Sequence, residues 1–192
     1  MKKITITSIL IILAFIFCNC RKSSFSEDER NNTFATANAI NENCTVSANL
    51  HNKKDVDYYK LDLTAYKKKN RLLRFKLSGL RGIALMLSVY DQNKKLIVKA
   101  GDNFYNETEV IANLKIKKII YYVKVNIRVQ EGGLAFPTLN YKLKINTFTN
   151  KNIEYEPNNN IESAQRIDSN VPITGYFSPY FTESHRNLNL ID

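Results

Sequence analysis

Histidine is the side chain that most readily serves as a general base or metal ligand near neutral pH, and this 192-residue chain has two, His51 and His185. Neither stands in a His-Glu-x-x-His arrangement or beside cysteines at zinc-site spacing. The sequence also has no Gly-x-Ser-x-Gly elbow and no glycine-rich phosphate loop. A Ser-His-Asp triad is defined by geometry, so the sequence leaves that arrangement open. We predict a structural role for His51, which lies in a polar loop, and no catalytic activity for the chain.

The first 19 residues have the layout of an export signal. Lys2 and Lys3 form a basic start, and residues 4–17 are apolar except for two threonines and one serine. This run is short for a transmembrane helix, which needs about 20 apolar residues. We therefore assign 1–19 to a signal peptide and expect the protein to be exported.

Two cysteines close this segment, and Cys20 is the better candidate for lipidation. Its setting is similar to a relaxed lipoprotein signal, in which cleavage leaves a cysteine that is diacylated and becomes the N-terminus. Asn19 before Cys20 is shorter than Phe17 before Cys18, which favours Cys20. The usual Leu-Ala-Gly-Cys pattern is absent, so an ordinary cleaved signal and an uncleaved anchor remain alternatives. The expected location is the cell envelope, with the chain held in the inner or outer membrane by its N-terminal lipid.

The chain is basic, with a formal net charge of +10. Such a charge favours anionic partners, including phospholipid headgroups and acidic glycans. The lysines are spread through strand-like segments, as at Lys142 and Lys144, and this is typical of a solvated face. Nucleic acid is not an expected partner, because an exported chain rarely meets it and no base-stacking motif of aromatic and basic residues is present.

A short phrase rich in acids and amides occurs twice. Residues 27–40 form the first phrase, and residues 154–167, which lie 127 positions later, form the second phrase. The identical pairs are Glu27/Glu154, Glu29/Glu156, Asn31/Asn158, Asn32/Asn159, Ala37/Ala164 and Ile40/Ile167. Because a repeat sets where modules begin, we assign 20–26 to a tether, 27–148 to one complete module and 149–192 to an incomplete second copy. So short a copy is expected to be mobile or to pack on the first module.

Alternation of apolar and polar residues dominates the segment 27–148 and predicts β-strands. The predicted strands are 59–64, 73–77, 84–90, 95–100, 108–114, 119–127 and 140–148, with turn residues between them. This pattern predicts an all-β fold, an antiparallel β-sandwich. A helical turn is expected only at 33–39, where Asn32 is a suitable cap.

Two tyrosine pairs, at 58–59 and 121–122, lie within predicted strands. Because successive strand residues point to opposite faces, one ring of each pair should be buried and the other exposed. This favours a structural role for both pairs over a ligand site. Cys44 stands where the second copy has Val171, which predicts a buried thiol.

Three segments are similar to the bacterial pre-peptidase C-terminal domain. They are the Glu-x-Glu-x-Asn-Asn opening at 27–32, the strand Asp-Val-Asp-Tyr-Tyr-Lys-Leu at 55–61, and the closing strand Tyr-Lys-Leu-Lys-Ile at 141–145. The resemblance covers 27–148 and again 154–192. It implies a jelly-roll-like sandwich without catalysis of its own, carried by secreted proteases and other exported proteins and related to collagen-binding modules of bacterial collagenases. The first copy departs from the pattern at Arg30, where the second has Pro157.

The resemblance also implies a calcium site, with calcium as a candidate cofactor. In the related collagen-binding modules the acidic opening and the aspartates before the first long strand supply oxygen ligands. The matching residues here are Glu27, Glu29, Asn31, Asn32, Asp55 and Asp57. Calcium takes six to eight hard oxygens, so these residue types suit it. The alternative is that the two asparagines cap a helical turn and the glutamates are solvated, and Asn32 in place of a frequent Asp lowers the ligand charge.

The sequence thus predicts a membrane-anchored lipoprotein whose non-catalytic sandwich acts as a binding or spacer module at the cell envelope. A matrix protein, a glycan or another envelope protein is the expected kind of partner; fold analogy alone supports this. The alternative is an accessory fragment of a larger secreted protease or other hydrolase whose catalytic domain is elsewhere.

Overall fold

The computed structural model describes residues 24–64, 71–101, 105–130, 139–158 and 160–175, and in these ranges the side chains of 129, 130 and 139 are excepted. The predicted signal peptide 1–19, Cys20 and the segment 178–192 lie outside the described residues. Within the described ranges, no helix has both the length and the apolar character that a membrane span requires.

Within the described residues, ten strands form two five-stranded sheets that face each other, which confirms the predicted all-β sandwich. In chain order they are β1 Ser24–Ser26, β2 Asn38–Ile40, β3 Cys44–Leu50, β4 Val56–Asp62, β5 Leu72–Leu77, β6 Ile83–Asp91, β7 Leu96–Ala100, β8 Glu109–Lys115, β9 Ile120–Gln130 and β10 Leu139–Phe148. Sheet 1 has the order β1-β3-β10-β5-β8, and sheet 2 has the order β2-β4-β9-β6-β7. The long strands pair antiparallel, whereas the short strands β1 and β2 pair parallel to β3 and β4.

Alternating burial along the strands builds one core between the sheets. Strand β3 alternates strictly between buried and more exposed residues, as a strand with one face on a core must. The largest fully buried side chains include Phe75 and three tyrosines, Tyr59, Tyr121 and Tyr141. Cys44 is also buried, as predicted, and its Sγ donates to the Asn41 carbonyl at 2.9 Å. Because Tyr carries a hydroxyl, each buried tyrosine needs a polar partner in an otherwise apolar layer.

Two local predictions were wrong. The segment 33–39 is not helical: it bends and then enters β2, because Asn38–Ile40 adds to sheet 2 beside Tyr59–Leu61. The segment 20–26, assigned to a tether, contains β1, so sheet 1 begins before Glu27. Strand β3 was not predicted, although its sequence Cys-Thr-Val-Ser-Ala-Asn-Leu alternates, because two of its buried positions hold the small residues Cys44 and Ala48.

The second phrase packs on the edge of sheet 1. Glu156 donates its backbone N–H to Asn113 O at 2.9 Å and accepts from Lys115 N–H at 3.0 Å, both in β8. These bonds extend the edge strand and cover part of its unpaired backbone. Tyr155 and Glu156 of the second copy thus contact β8 of the first module, whereas most of residues 160–175 are exposed.

The two phrases form the same local hydrogen bonds. Asp28 donates its backbone N–H to Asn38 Oδ1 at 2.9 Å, and 127 positions later Tyr155 donates to Gln165 Oε1 at 2.8 Å. Two further matched pairs are Thr33 N–H to Thr36 Oγ1 at 3.1 Å with Asn160 N–H to Ser163 Oγ at 3.3 Å, and Glu27 N–H to Ser47 O at 3.3 Å with Glu154 N–H to Thr174 O at 3.0 Å. The side-chain types differ while the bonds recur, so the two phrases fold alike locally.

Candidate functional site

The first phrase crosses from sheet 1 to sheet 2. Strand β1 before it pairs with β3, and β2 at its end pairs with β4. In between, Tyr58 of β4 donates its backbone N–H to Asn31 O at 2.9 Å. The crossing brings the acidic opening against β4, which carries Asp57, and against Asp55 just before it. Carboxylate and amide side chains therefore lie together where the chain crosses between the two sheets.

A buried chain of hydrogen bonds joins Glu27 to Asp57 through two tyrosines. Tyr59 donates its hydroxyl to Glu27 Oε2 at 3.1 Å, Tyr141 donates its hydroxyl to Asp57 Oδ2 at 2.6 Å, and the two hydroxyl oxygens are 2.7 Å apart. Asp57 and both tyrosines have no exposed surface. Three bonds need three protons, and two phenols supply two. The third must come from a carboxyl group at one end of the chain; when both carboxylates are ionised, one of the three contacts has no proton.

The pKa of Asp57 agrees with this proton count. Burial is the main cause that raises it, from 3.8 to about 8, and the nearby charges of Glu27, Asp55 and Glu29 raise it further, against the Tyr141 hydrogen bond, which lowers it. The pKa of Glu27 is also raised, first by burial and also by the charge of Glu29. The folded protein therefore holds a proton here near neutral pH when no cation is bound.

Several buried oxygen atoms in this region have no partner. They are Asn31 Oδ1, Asn49 Oδ1 and Asp57 Oδ1. Asn31 is fully buried, and its amide nitrogen donates to Glu27 Oε2 and to Asn38 Oδ1, both at 3.4 Å. Buried polar atoms are nearly always satisfied, so orphaned acceptors beside carboxylates indicate a missing donor, water or cation.

The rim of the site holds Glu29, His51 and Asp55. His51 Nδ1 lies 2.9 Å from Glu29 Oε1 and 3.5 Å from Asp55 Oδ2. One potential ligand atom from each of the three lies within 4.8 Å of the others. Asp55 Oδ2 also accepts the backbone N–H of His51 at 2.7 Å, so the loop between β3 and β4 positions this carboxylate. Sequence reasoning missed His51, and the i, i+4 spacing from His51 to Asp55 was the only signal.

Asn32 holds Asp55 rather than capping a helix. With its amide nitrogen turned toward the acceptors, Asn32 donates to Val56 O at 2.6 Å and to Asp55 Oδ1 at 3.1 Å. The structure thus brings the six predicted residues together as an inner set (Glu27, Asn31, Asp57), a rim pair (Glu29, Asp55) and Asn32 behind the rim. A pocket of about 380 Å³ lies beside Glu27 and Tyr141, and of the six predicted residues Glu27 alone is among its lining residues.

Phe34 of the first phrase packs on the outer face of sheet 2. Its ring centroid lies 4.6 Å from that of Tyr58 and 5.2 Å from those of Tyr90 and Tyr122. Tyr59 and Tyr121 lie in the core, as predicted for one ring of each pair, whereas Tyr58 and Tyr122 are half-buried on this face rather than exposed. Phe34 thereby limits how far the acidic loop can move.

Fold and site together define an all-β sandwich with a cluster of carboxylates and amides, the acidic cluster, formed where the chain crosses between sheets. No protein-family model matches the chain, and no curated protein matches it. Among solved structures it is similar to the pre-peptidase C-terminal domain of a collagenase from Bacillus anthracis, with 18% identity and a TM-score of 0.42 over 57% of this chain and 93% of that one. A second is a protein from Eubacterium rectale described as secreted, with 11% identity and a TM-score of 0.36 over 62% of this chain and 42% of that one. At TM-scores below 0.5, these similarities carry no argument about function.

We predict that, in the presence of a chelator, Asp57 makes the protein less stable as pH rises from about 4 to about 8. Folding raises the pKa of this carboxyl group from 3.8 to about 8. The folded state therefore keeps a proton that the unfolded chain releases, and that contribution to stability is lost with rising pH. Thermal unfolding followed by circular dichroism should show a smaller pH-dependent loss for Asp57→Asn than for the wild type. Asp62→Asn, which removes an exposed carboxylate at the end of β4, should keep the wild-type slope; equal slopes in Asp57→Asn and the wild type would contradict the prediction.

Phe34→Ala should loosen the first phrase. Removing three ring contacts is expected to cost about 1–3 kcal/mol of stability. Hydrogen exchange at the Asp28 amide, which is bonded to Asn38, should quicken by more than exchange at Leu143 in the centre of β10. Equal acceleration at both amides would mean that Phe34 contributes to global stability only and does not fasten the loop.

Proposed function

We propose that the protein is an exported lipoprotein, anchored in a membrane at the cell envelope through Cys20. Its sandwich serves there as a non-catalytic binding or spacer module. We further propose that the acidic cluster binds calcium, which would stabilise the contact between the two sheets. The observation that carries this second proposal is the buried oxygen cluster, in which carboxylates lie beside acceptors that have no donor.

The residues present suit calcium. Glu27, Glu29, Asp55 and Asp57 offer carboxylates and Asn31 offers an amide oxygen, which are the hard ligands that this ion prefers. Bound calcium would supply the positive charge that keeps these carboxylates ionised. The tyrosine hydroxyls would then orient Glu27 and Asp57, and Asn32 would orient Asp55. His51 would offer a nitrogen ligand, which calcium does not favour. We therefore place it at the rim, where Glu29 and Asp55 would contact His51 in the absence of calcium and the ion in its presence.

Calcium should raise the thermal midpoint of the purified protein, and more so at pH 8 than at pH 5. Binding requires release of the Asp57 proton, so affinity increases with pH. At a concentration about 100-fold above Kd the stabilisation is about 2.7 kcal/mol. Asp57→Asn and Asp55→Asn should each reduce the shift, whereas Asp62→Asn should keep it.

Magnesium is the matched ionic control, because its smaller octahedral shell fits such a site poorly. A calcium response that is absent from the wild type, or equal in Asp57→Asn and the wild type, would exclude the calcium site. Neither result would bear on the lipid anchor.

The lipid anchor would hold the sandwich close to the bilayer. Strand β1 begins at Ser24, four residues after Cys20, and four extended residues span at most about 14 Å. At that distance a basic protein contacts anionic headgroups, which adds to the attraction of the acyl chains. A spacer function would require additional length beyond the sandwich, whereas a binding function requires only an exposed face.

Mass spectrometry of the membrane-extracted protein should find acyl chains on Cys20 and no residue before it. Cys20→Ser should move the protein out of the membrane fraction, because two or three chains are needed for stable anchoring. Cys18→Ser is the matched control and should leave fractionation unchanged. Membrane retention of Cys20→Ser, with residues 1–19 still present, would instead support an uncleaved anchor.

The alternative function is an accessory part of a larger secreted hydrolase. It is favoured by the second phrase, which forms the opening hydrogen bonds of another such module beside β8. Peptides from a longer chain, recovered with this protein from cells, would support it.

A further inference from the structure

A second pocket, of about 510 Å³, lies where the first module meets the second phrase. Its walls come from the start of β5, the end of β8 and the segment 149–155, with Gln165 at one side. This second pocket is remote in sequence from the acidic cluster, and none of its lining residues is an acid. Its size falls in the range of small-ligand sites, roughly 300–1,000 Å³.

The pocket is positively charged. Arg71, Lys115 and Lys151 all line it. Arg71 is committed to the wall, since its Nη2 donates to Thr147 Oγ1 at 2.7 Å and its Nη1 lies 3.8 Å from Glu42 Oε2. Among the residues that the structure describes, no carboxylate pairs with Lys115 or Lys151, so both ammonium groups are available to an anion.

The Tyr155 ring forms one wall of this pocket and lies beside Lys115. Lys115 Nζ lies 3.9 Å from the centroid of the Tyr155 ring. Tyr155 donates its backbone N–H to Gln165 Oε1 at 2.8 Å, and Gln165 in turn donates its amide to Ile153 O at 3.2 Å. The backbone that carries the ring is thus anchored before any ligand arrives, which reduces the cost of binding.

We infer that this pocket binds an acidic saccharide, a sugar unit that carries a carboxylate or a sulfate. Lys115 and Lys151 pair with the acidic group, and the rim residues Thr149 and Asn150 offer hydrogen bonds to hydroxyls. The Tyr155 ring with Ile153 provides an apolar surface for the C–H face of a sugar ring. A simple inorganic anion would leave that apolar wall bare, and an acyl chain would leave the charges unpaired. The inference deepens the binding function proposed above and does not depend on calcium.

Calorimetric titration of the purified protein with short oligosaccharides tests the inference. An oligogalacturonate supplies carboxylates, a heparin-derived tetrasaccharide supplies sulfates, and cellotetraose is the neutral control. We expect one or both acidic sugars to bind and the neutral sugar not to bind. Polyglutamate supplies charge without sugar rings and should compete only weakly.

Two variants locate the site. Lys115→Met and Lys151→Met should each weaken acidic-sugar binding by about tenfold or more, as expected for loss of a charged hydrogen bond. Lys95→Met removes the same charge from the exposed turn between β6 and β7 and should leave affinity unchanged. Lys151 is exposed, so its variant remains informative if Lys115→Met folds poorly.

The inference is overturned if neither acidic sugar binds, if polyglutamate binds as tightly, or if Lys95→Met weakens binding as much as the pocket variants. The latter two results would indicate diffuse attraction by a basic surface. The calcium-induced shift of the thermal midpoint should be the same in Lys151→Met and the wild type, so failure here is distinguishable from failure of the calcium site.

Discussion

The burial of Asp57 is the constraint on which the site depends. A carboxyl group without exposed surface must either keep its proton or find a compensating positive charge. The tyrosines that meet it, Tyr141 and then Tyr59, provide hydrogen bonds but too few protons to complete the chain to Glu27. The core of this sandwich therefore holds a carboxyl proton near neutral pH, which a bound cation would have to displace.

The same network joins parts of the fold that are far apart in sequence. Tyr141 belongs to β10 in sheet 1, and Tyr59 and Asp57 belong to β4 in sheet 2. Glu27 comes from the loop that crosses between the sheets, and its carboxylate also accepts from the backbone N–H of Asn49 in β3. Neutralising this cluster, by a proton or by a cation, would therefore strengthen contact between the two sheets as well as order the loop.

Much of the architecture could be predicted from the sequence, because alternation directly reports one-sided burial. It identified most of the long strands and the inward and outward tyrosines of both pairs. It failed at β3, where the small buried residues Cys44 and Ala48 weaken the contrast. It also failed at β2, where pairing with β4 overrides the local preference of an alanine-containing segment for a helical turn. Likewise, the acidic phrase identified the carboxylates, but the roles of His51 and Tyr141 depend on contacts across loops and sheets that spacing does not encode.

The most direct test of the proposed cation site is luminescence of terbium, which shares the oxygen preference of calcium. The chain has no tryptophan, so sensitised emission must come from tyrosine, and Tyr59 and Tyr141 border the site. The account predicts tyrosine-sensitised emission that calcium displaces and that Asp57→Asn abolishes. Absence of sensitised emission from the wild-type protein, or emission that calcium does not displace, would contradict it.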